Sequence, residues 1–97
     1  MRVAVIYRPK FPPPPELIPE LMQRLGAWLG ENQSKFSVIE FFVGGGGFGV
    51  LDVTDSVDLH RIVASHPFTA ISDVEIRPVV EPGQPMRVLQ EVFAPAS

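Results

Sequence analysis

The spacing of apolar and polar positions changes several times along the chain, and each change marks an element. Arg2-Val3-Ala4-Val5-Ile6-Tyr7-Arg8 is apolar on both faces of an extended chain and reads as a central strand closed by Pro9. Pro12–Pro15 form a stiff, extended spacer. From Glu16 to Gly30 the period lengthens. Leu17, Leu21, Leu25, Trp28 and Leu29 recur at three- and four-residue steps, with Ile18 and Met22 beside them, which predicts an amphipathic helix. Glu16 and Glu20 suit its positive end, and Gly30 suits the position just past its last turn. Gly26, inside the stripe, predicts a close approach by another element.

The period then shortens to two. Phe36–Val43 and Phe48–Val53 are rich in β-branched and aromatic residues and flank Gly44-Gly45-Gly46-Gly47, a hairpin signal. Strict alternation places Phe36, Val38 and Phe42 on one face with Glu40, and Ile39, Phe41 and Val43 on the other with Ser37. In the second run Phe48, Val50 and Asp52 oppose Leu51 and Val53. Both faces are apolar, so both need cover.

Asp55 or Ser56 caps a second helix that runs to about Ser65 with Val57, Leu59, Ile62 and Val63 as its apolar positions. Pro67 stops it, and His66–Ser72 is a loop carrying Phe68 and Ile71. Asp73–Glu81 reads as a strand, and Pro78, lacking an amide donor, places it at a sheet edge. Gln84–Phe93 carries Met86, Val88, Leu89, Val92 and Phe93, much apolar material for a tail; it packs over the sheet or reaches a neighbouring subunit.

The order β-α-β-β-α-β predicts an α+β chain: a four-stranded antiparallel sheet with two helices on one face, the ferredoxin-like arrangement. Ninety-seven residues make one domain, 1–97, with residues 84–97 as an extension. Two helices cover one face of such a sheet and leave the other bare. A twofold dimer joining two bare faces is the economical solution, with a lined cavity between them.

Composition removes several function classes. The net charge is −3 and the eight basic residues are scattered, so neither a nucleic acid nor a membrane surface is the expected partner. The absence of cysteine excludes thiol nucleophiles, disulfides and Cys-ligated zinc. No signal-peptide pattern opens the chain and no apolar run nears the roughly 20 residues of a membrane span, so a cytoplasmic domain is expected. The two histidines lack the spacing of a helical metal pair, and neither metal nor cofactor is expected. Gly44-x-Gly46-x-x-Gly49 matches the dinucleotide fingerprint in letters only, because it lies between two strands.

A handful of side chains can carry chemistry. Glu40 stands in a strand among Phe36, Val38 and Phe42; inside an apolar cavity such a carboxylate can shuttle a proton next to a carbonyl. His60 lies on the second helix beside Val57 and Val63, and His66 at its end, where the dipole favours a cation. Tyr7 can hydrogen-bond a substrate oxygen, and Arg8 or Arg77 can hold a carboxylate. Asp52 is either a pocket acid or a cap of the second helix, the cap being favoured; Phe68 offers an aromatic wall.

From Asp52 onward the chain resembles muconolactone isomerase and its dimeric α/β-barrel relatives. The residues are Asp52-Val53, Leu59-His60, Pro67 and Asp73-Val74-Glu75, spaced as in that family across the second helix and last strand. The first half is similar in element order and length. The resemblance implies a homodimeric α/β barrel with a small-molecule pocket. It further implies a cofactor-independent isomerase acting on a small organic acid or aromatic metabolite, with His60 at a family position and Glu40 or a histidine moving the proton. Cofactor-free monooxygenases share the fold, and a non-catalytic ligand-binding or assembly module is the alternative. The glycine and proline runs depart from the family pattern.

Overall fold

The computed structural model describes residues 1–94. Strand β1 (Arg2–Pro9) is followed by helix α1 (Ile18–Asn32), the hairpin β2 (Phe36–Phe41) and β3 (Gly47–Asp52), helix α2 (Ser56–Ser65), strand β4 (Ser72–Pro78) and a third helix, α3 (Gly83–Phe93). The four strands form one antiparallel sheet in the order β2-β3-β1-β4. This is the ferredoxin-like arrangement expected from the element order. β1 is central and the proline-containing β4 is an edge, as their patterns required.

The core lies on one face of the sheet. Val3 and Val5 of β1 and Leu51 of β3 are buried against Trp28 of α1 and Ile62 of α2, with Val53 completing the cluster. The ladder pairs Val3 with Leu51 and Val5 with Gly49, so these positions share the helix-covered face. Trp28 pins the two helices together. Its Nε1–H donates to the Ile62 carbonyl at 3.1 Å and lies 3.2 Å from Ser65 Oγ.

Three sequence expectations fail for local reasons. A β-bulge between Phe36 and Val38 breaks the alternation of β2. Phe36 therefore pairs with Leu51 on the covered face, while Val38 and Glu40 pair with Val50 and Phe48 on the opposite one. Ser37, the extra residue, donates its hydroxyl to the Val50 carbonyl at 3.2 Å. Helix α1 also begins later and ends later than its stripe suggested. Pro15–Leu17 form a 3-10 turn, and Gly30 is inside the helix rather than beyond it. A Cβ on Gly26 would meet nothing within 4 Å, so that glycine serves no close approach.

Asp55, not Asp52, caps α2: its Oδ1 accepts from the Asp58 amide at 2.8 Å. Asp58 in turn accepts from the Thr54 amide at 3.2 Å, so the two carboxylates satisfy amides on both sides of the helix start. The bare face of the sheet carries Ala4, Ile6, Val38, Phe48 and Val50 together with Glu40, Glu75 and Arg77. Among the described residues no helix is long and apolar enough to cross a membrane.

Candidate functional site

A cavity of about 520 Å³ lies between the covered face of the sheet and the helices, not beyond the bare face where the sequence placed it. Its position follows from how α1 meets the sheet. Trp28, near the C-terminal end of α1, closes onto the core. The N-terminal half stands further off, and Leu21, Met22 and Leu25 form a wall there instead of packing on strands. Phe11, Ile18, Met22 and Phe41 line the cavity yet remain exposed, which marks them as its mouth.

Glycine makes the room on the sheet side. A Cβ on Gly49 would fall 2.5 Å from the Phe36 ring, so the bare backbone there lets that ring lie against β3 beside Trp28. At the turn, Gly44, Gly45 and Gly46 all have positive φ. A Cβ on Gly46 would strike the Tyr7 carbonyl oxygen at 2.3 Å, so this loop can close over the end of β1 only as glycine.

The polar groups of the cavity gather around His66. Its ring stacks on Tyr7 with centroids 4.2 Å apart and meets Trp28 edge-on at 4.6 Å. Phe68 follows at 6.0 Å. Enclosure among these rings disfavours the imidazolium and lowers the His66 pKa to about 4, so the ring is neutral near pH 7. His66 Nδ1 accepts the Phe68 amide hydrogen at 3.0 Å, which places the remaining proton on Nε2. Among the described residues no side chain or carbonyl accepts from that Nε2–H. The sequence reading of His66 as a cation at a helix terminus is thus reversed by burial.

Tyr7 is oriented by the same logic. Thr69 Oγ1 donates its one hydrogen to the Val63 carbonyl at 2.6 Å, so the Tyr7 hydroxyl, 3.2 Å away, must donate to Thr69. The phenolic oxygen keeps its lone pairs for a ligand. Burial pushes the Tyr7 pKa up against the smaller opposite pull of the Thr69 hydrogen bond, so it stays a phenol. Ser72, also on the cavity wall, is buried with its hydroxyl unpaired. The site therefore offers the His66 Nε2–H as donor and Tyr7 Oη as acceptor on two stacked rings in apolar surroundings, with the unpaired Ser72 hydroxyl on the same cavity wall.

The other sequence candidates lie elsewhere. Glu40 is exposed and paired with Phe48 on the bare face; it borders the cavity near the glycine turn but is not enclosed in it. His60 is exposed on α2, outside the cavity lining. Asp52 is exposed at the end of β3 opposite Arg2. Arg8 and Arg77 both bond Glu75, Arg8 at 3.3 Å, on the bare side. Arg77's hydrogen bond, then that of Arg8, holds the Glu75 carboxyl below its usual range. Of the residues singled out from sequence, Tyr7, His66 and Phe68 come together. Trp28, Thr69 and Ser72 went unrecognised as site residues. Trp28 looked like core, and a lone Thr or Ser in a loop carries no signal. Among the described residues no three His, Cys, Asp or Glu side chains cluster as a metal site would require.

Comparison with solved structures places the chain in a recognised fold. It superposes on muconolactone isomerase with a TM-score of 0.71 at 18% identity, covering 84% of this chain and 92% of that one. It also superposes on 5-chloro-2-hydroxyhydroquinone dehydrochlorinase of Burkholderia phenoliruptrix AC1100, in complex with 2,5-dihydroxybenzoquinone. There the TM-score is 0.68 at 16% identity, covering 84% and 97% of the two chains. The chain thus shares the ferredoxin-like fold of these two proteins. No protein-family model and no curated protein sequence matches it.

Proposed function

We propose that the protein is a cofactor-independent enzyme of the muconolactone-isomerase type, acting on a small cyclic molecule that carries a carbonyl and a hydroxyl oxygen. The observation that carries the reading is the donor–acceptor pair of His66 Nε2–H and Tyr7 Oη in the wall of an apolar cavity. A neutral imidazole donating to a carbonyl oxygen stabilises the negative charge that develops when a neighbouring C–H gives up its proton; Glu40, the carboxylate that borders the cavity, is the base available to take that proton and, in an isomerisation, to return it. This serves an isomerisation and equally the first step of a cofactor-free oxygenation. Tyr7 accepts from the ligand's hydroxyl and orients the ring. Among the described residues the cavity wall offers no cation, since Arg8 and Arg77 are held by Glu75 on the far face, and this favours a neutral ligand over a small carboxylate.

Both structural neighbours are named for reactions of small cyclic oxygenated compounds, and one is seen with 2,5-dihydroxybenzoquinone, which supports the ligand class. The bare sheet face, with Ile6, Val38, Phe48 and Val50, supports a homodimer through that surface. Trp28 is the chain's sole tryptophan and its ring touches His66, so its fluorescence reports occupancy directly. Titration with muconolactone and with 2,5-dihydroxybenzoquinone should quench it saturably, and turnover of either should be lost in His66→Phe. Binding without turnover would replace the enzyme by a ligand-binding module. Absence of saturable binding across lactones, quinols and quinones would remove the reading altogether.

A further inference from the structure

Ser72 is buried, 7% exposed, and its Oγ has no hydrogen-bond partner among the described residues. Buried hydroxyls are nearly always paired, so an unpaired one in a cavity wall calls for an explanation. Its surroundings show why the fold itself supplies no partner. The residue directly across the ladder is Pro9, which has no N–H to give. The Ile71 carbonyl just before it already accepts from the Lys10 amide at 2.8 Å. The amide of Ser72 donates to the Thr69 carbonyl, and the Thr69 hydroxyl donates to the Val63 carbonyl.

The direction of the side chain follows from the register. Ser72, Val74 and Ile76 lie opposite Pro9, Tyr7 and Val5, and Val5 is in the core beneath the helices. Ser72 therefore shares the covered face with Tyr7. It stands one two-residue step, roughly 7 Å, along β4 from the residue that faces Tyr7. That step is comparable with the span of one oxygenated six-membered ring. The cavity continues over it, since Pro9, Phe68, Ile71 and Ser72 all line the same space as Tyr7 and His66.

We infer that Ser72 is a ligand-binding residue that reads a second oxygen: the ligand turns one oxygen-bearing edge to His66 and Tyr7 and offers a further hydroxyl or carbonyl, on another edge of the same ring, to the Ser72 hydroxyl. A serine hydroxyl both donates and accepts, so it serves either group. A ring bare on that edge leaves the buried hydroxyl unpaired in the complex as well, and is bound less tightly for that reason. The inference rests on the ligand class proposed above and narrows it, from a ring with one carbonyl–hydroxyl edge to a ring oxygenated on two edges.

Calorimetric titration of the full chain with 2′-hydroxyacetophenone and 2′,5′-dihydroxyacetophenone tests it. Both are uncharged at neutral pH and present the same carbonyl–hydroxyl edge; only the second has an oxygen on the remote side. The native chain should bind the dihydroxy ketone about tenfold more tightly. Ser72→Ala should bring the two within about twofold by weakening the dihydroxy ketone alone. Its thermal midpoint should hold or rise, because no protein group loses a partner. His66→Phe, which acts at the shared edge, should weaken both ketones alike. Equal affinities in the native chain, or an undiminished preference in Ser72→Ala, overturn the inference and leave the His66–Tyr7 site standing; the hydroxyl then serves a resident water. A lowered midpoint in Ser72→Ala overturns it by giving the hydroxyl a structural role. If neither ketone binds, the inference falls together with the ligand class on which it rests.

Discussion

Tyr7 and His66 lie face to face, ring centroids 4.2 Å apart and planes inclined by 24°, although one ends the first strand and the other follows the second helix. The contact brings a ring that keeps one N–H and a phenol that keeps its lone pairs to one wall of an apolar cavity. It also takes the imidazole out of water, which gives the protein a measurable acid response.

In the unfolded chain His66 titrates near the ordinary histidine value of 6.5, whereas burial holds it to about 4 in the fold. Between those values the unfolded chain binds a proton that the folded one refuses, so this residue's contribution to stability falls as pH drops from 6.5 to 4 and levels off below. Discounted for the ring's partial exposure, the loss is about 1–2 kcal/mol. Urea midpoints measured from pH 7 to pH 4 should decline less steeply for His66→Phe than for the native chain. Parallel curves would show that His66 is hydrated.

The donor role of His66 separates it from the other acid–base candidates. His66→Phe preserves ring stacking but removes Nε2–H, and should weaken binding of 2,5-dihydroxybenzoquinone about tenfold, the equivalent of about 1.4 kcal/mol. Glu40→Gln and His60→Ala, both at exposed positions, should stay within about twofold of the native affinity. Trp28 quenching measures all three, and a larger effect at Glu40 or His60 would move the site.

Trp28 joins α1 to α2 through its indole N–H as well as its bulk. Trp28→Phe deletes that donor, but the Ile62 carbonyl still accepts from the Ser65 hydroxyl at 3.0 Å. The expected destabilisation is therefore moderate, about 1–3 kcal/mol, and comes mostly from lost volume. Chemical denaturation followed by circular dichroism tests it.

Two glycines of the hairpin turn should respond differently to the same change. Gly44 and Gly46 both have positive φ, but a Cβ on Gly44 meets open space whereas one on Gly46 meets the Tyr7 carbonyl. Gly44→Ala should cost about 1 kcal/mol of backbone strain. Gly46→Ala should cost more and should perturb the cavity, seen as altered Trp28 emission.

At the start of α2, Asp55→Ala removes the acceptor of the Asp58 amide. Loss of about 1 kcal/mol is expected from the thermal midpoint, with Asp55→Asn restoring most of it.

Much of the architecture was legible in the order of residues because local pattern and global fold agree. The two-faced apolar run of Arg2–Arg8, the stripe from Leu17 to Leu29 and the proline at position 78 each state a burial requirement that a ferredoxin-like sheet satisfies. Tyr7, His66 and Phe68, each singled out from the sequence, also come together on one cavity wall. What chain order does not contain is which face a residue occupies once an extra residue is inserted. Ser37 does this in β2, turning Phe36 toward the helices and leaving Glu40 on the bare side. Nor does it contain how far α1 stands off the sheet, a matter of where Trp28 meets Ile62 and where Gly49 admits the Phe36 ring. Those contacts join residues distant in the chain, so only the packed structure decides that the cavity lies under the helices and that His66, rather than Glu40 or His60, faces Tyr7 across its wall.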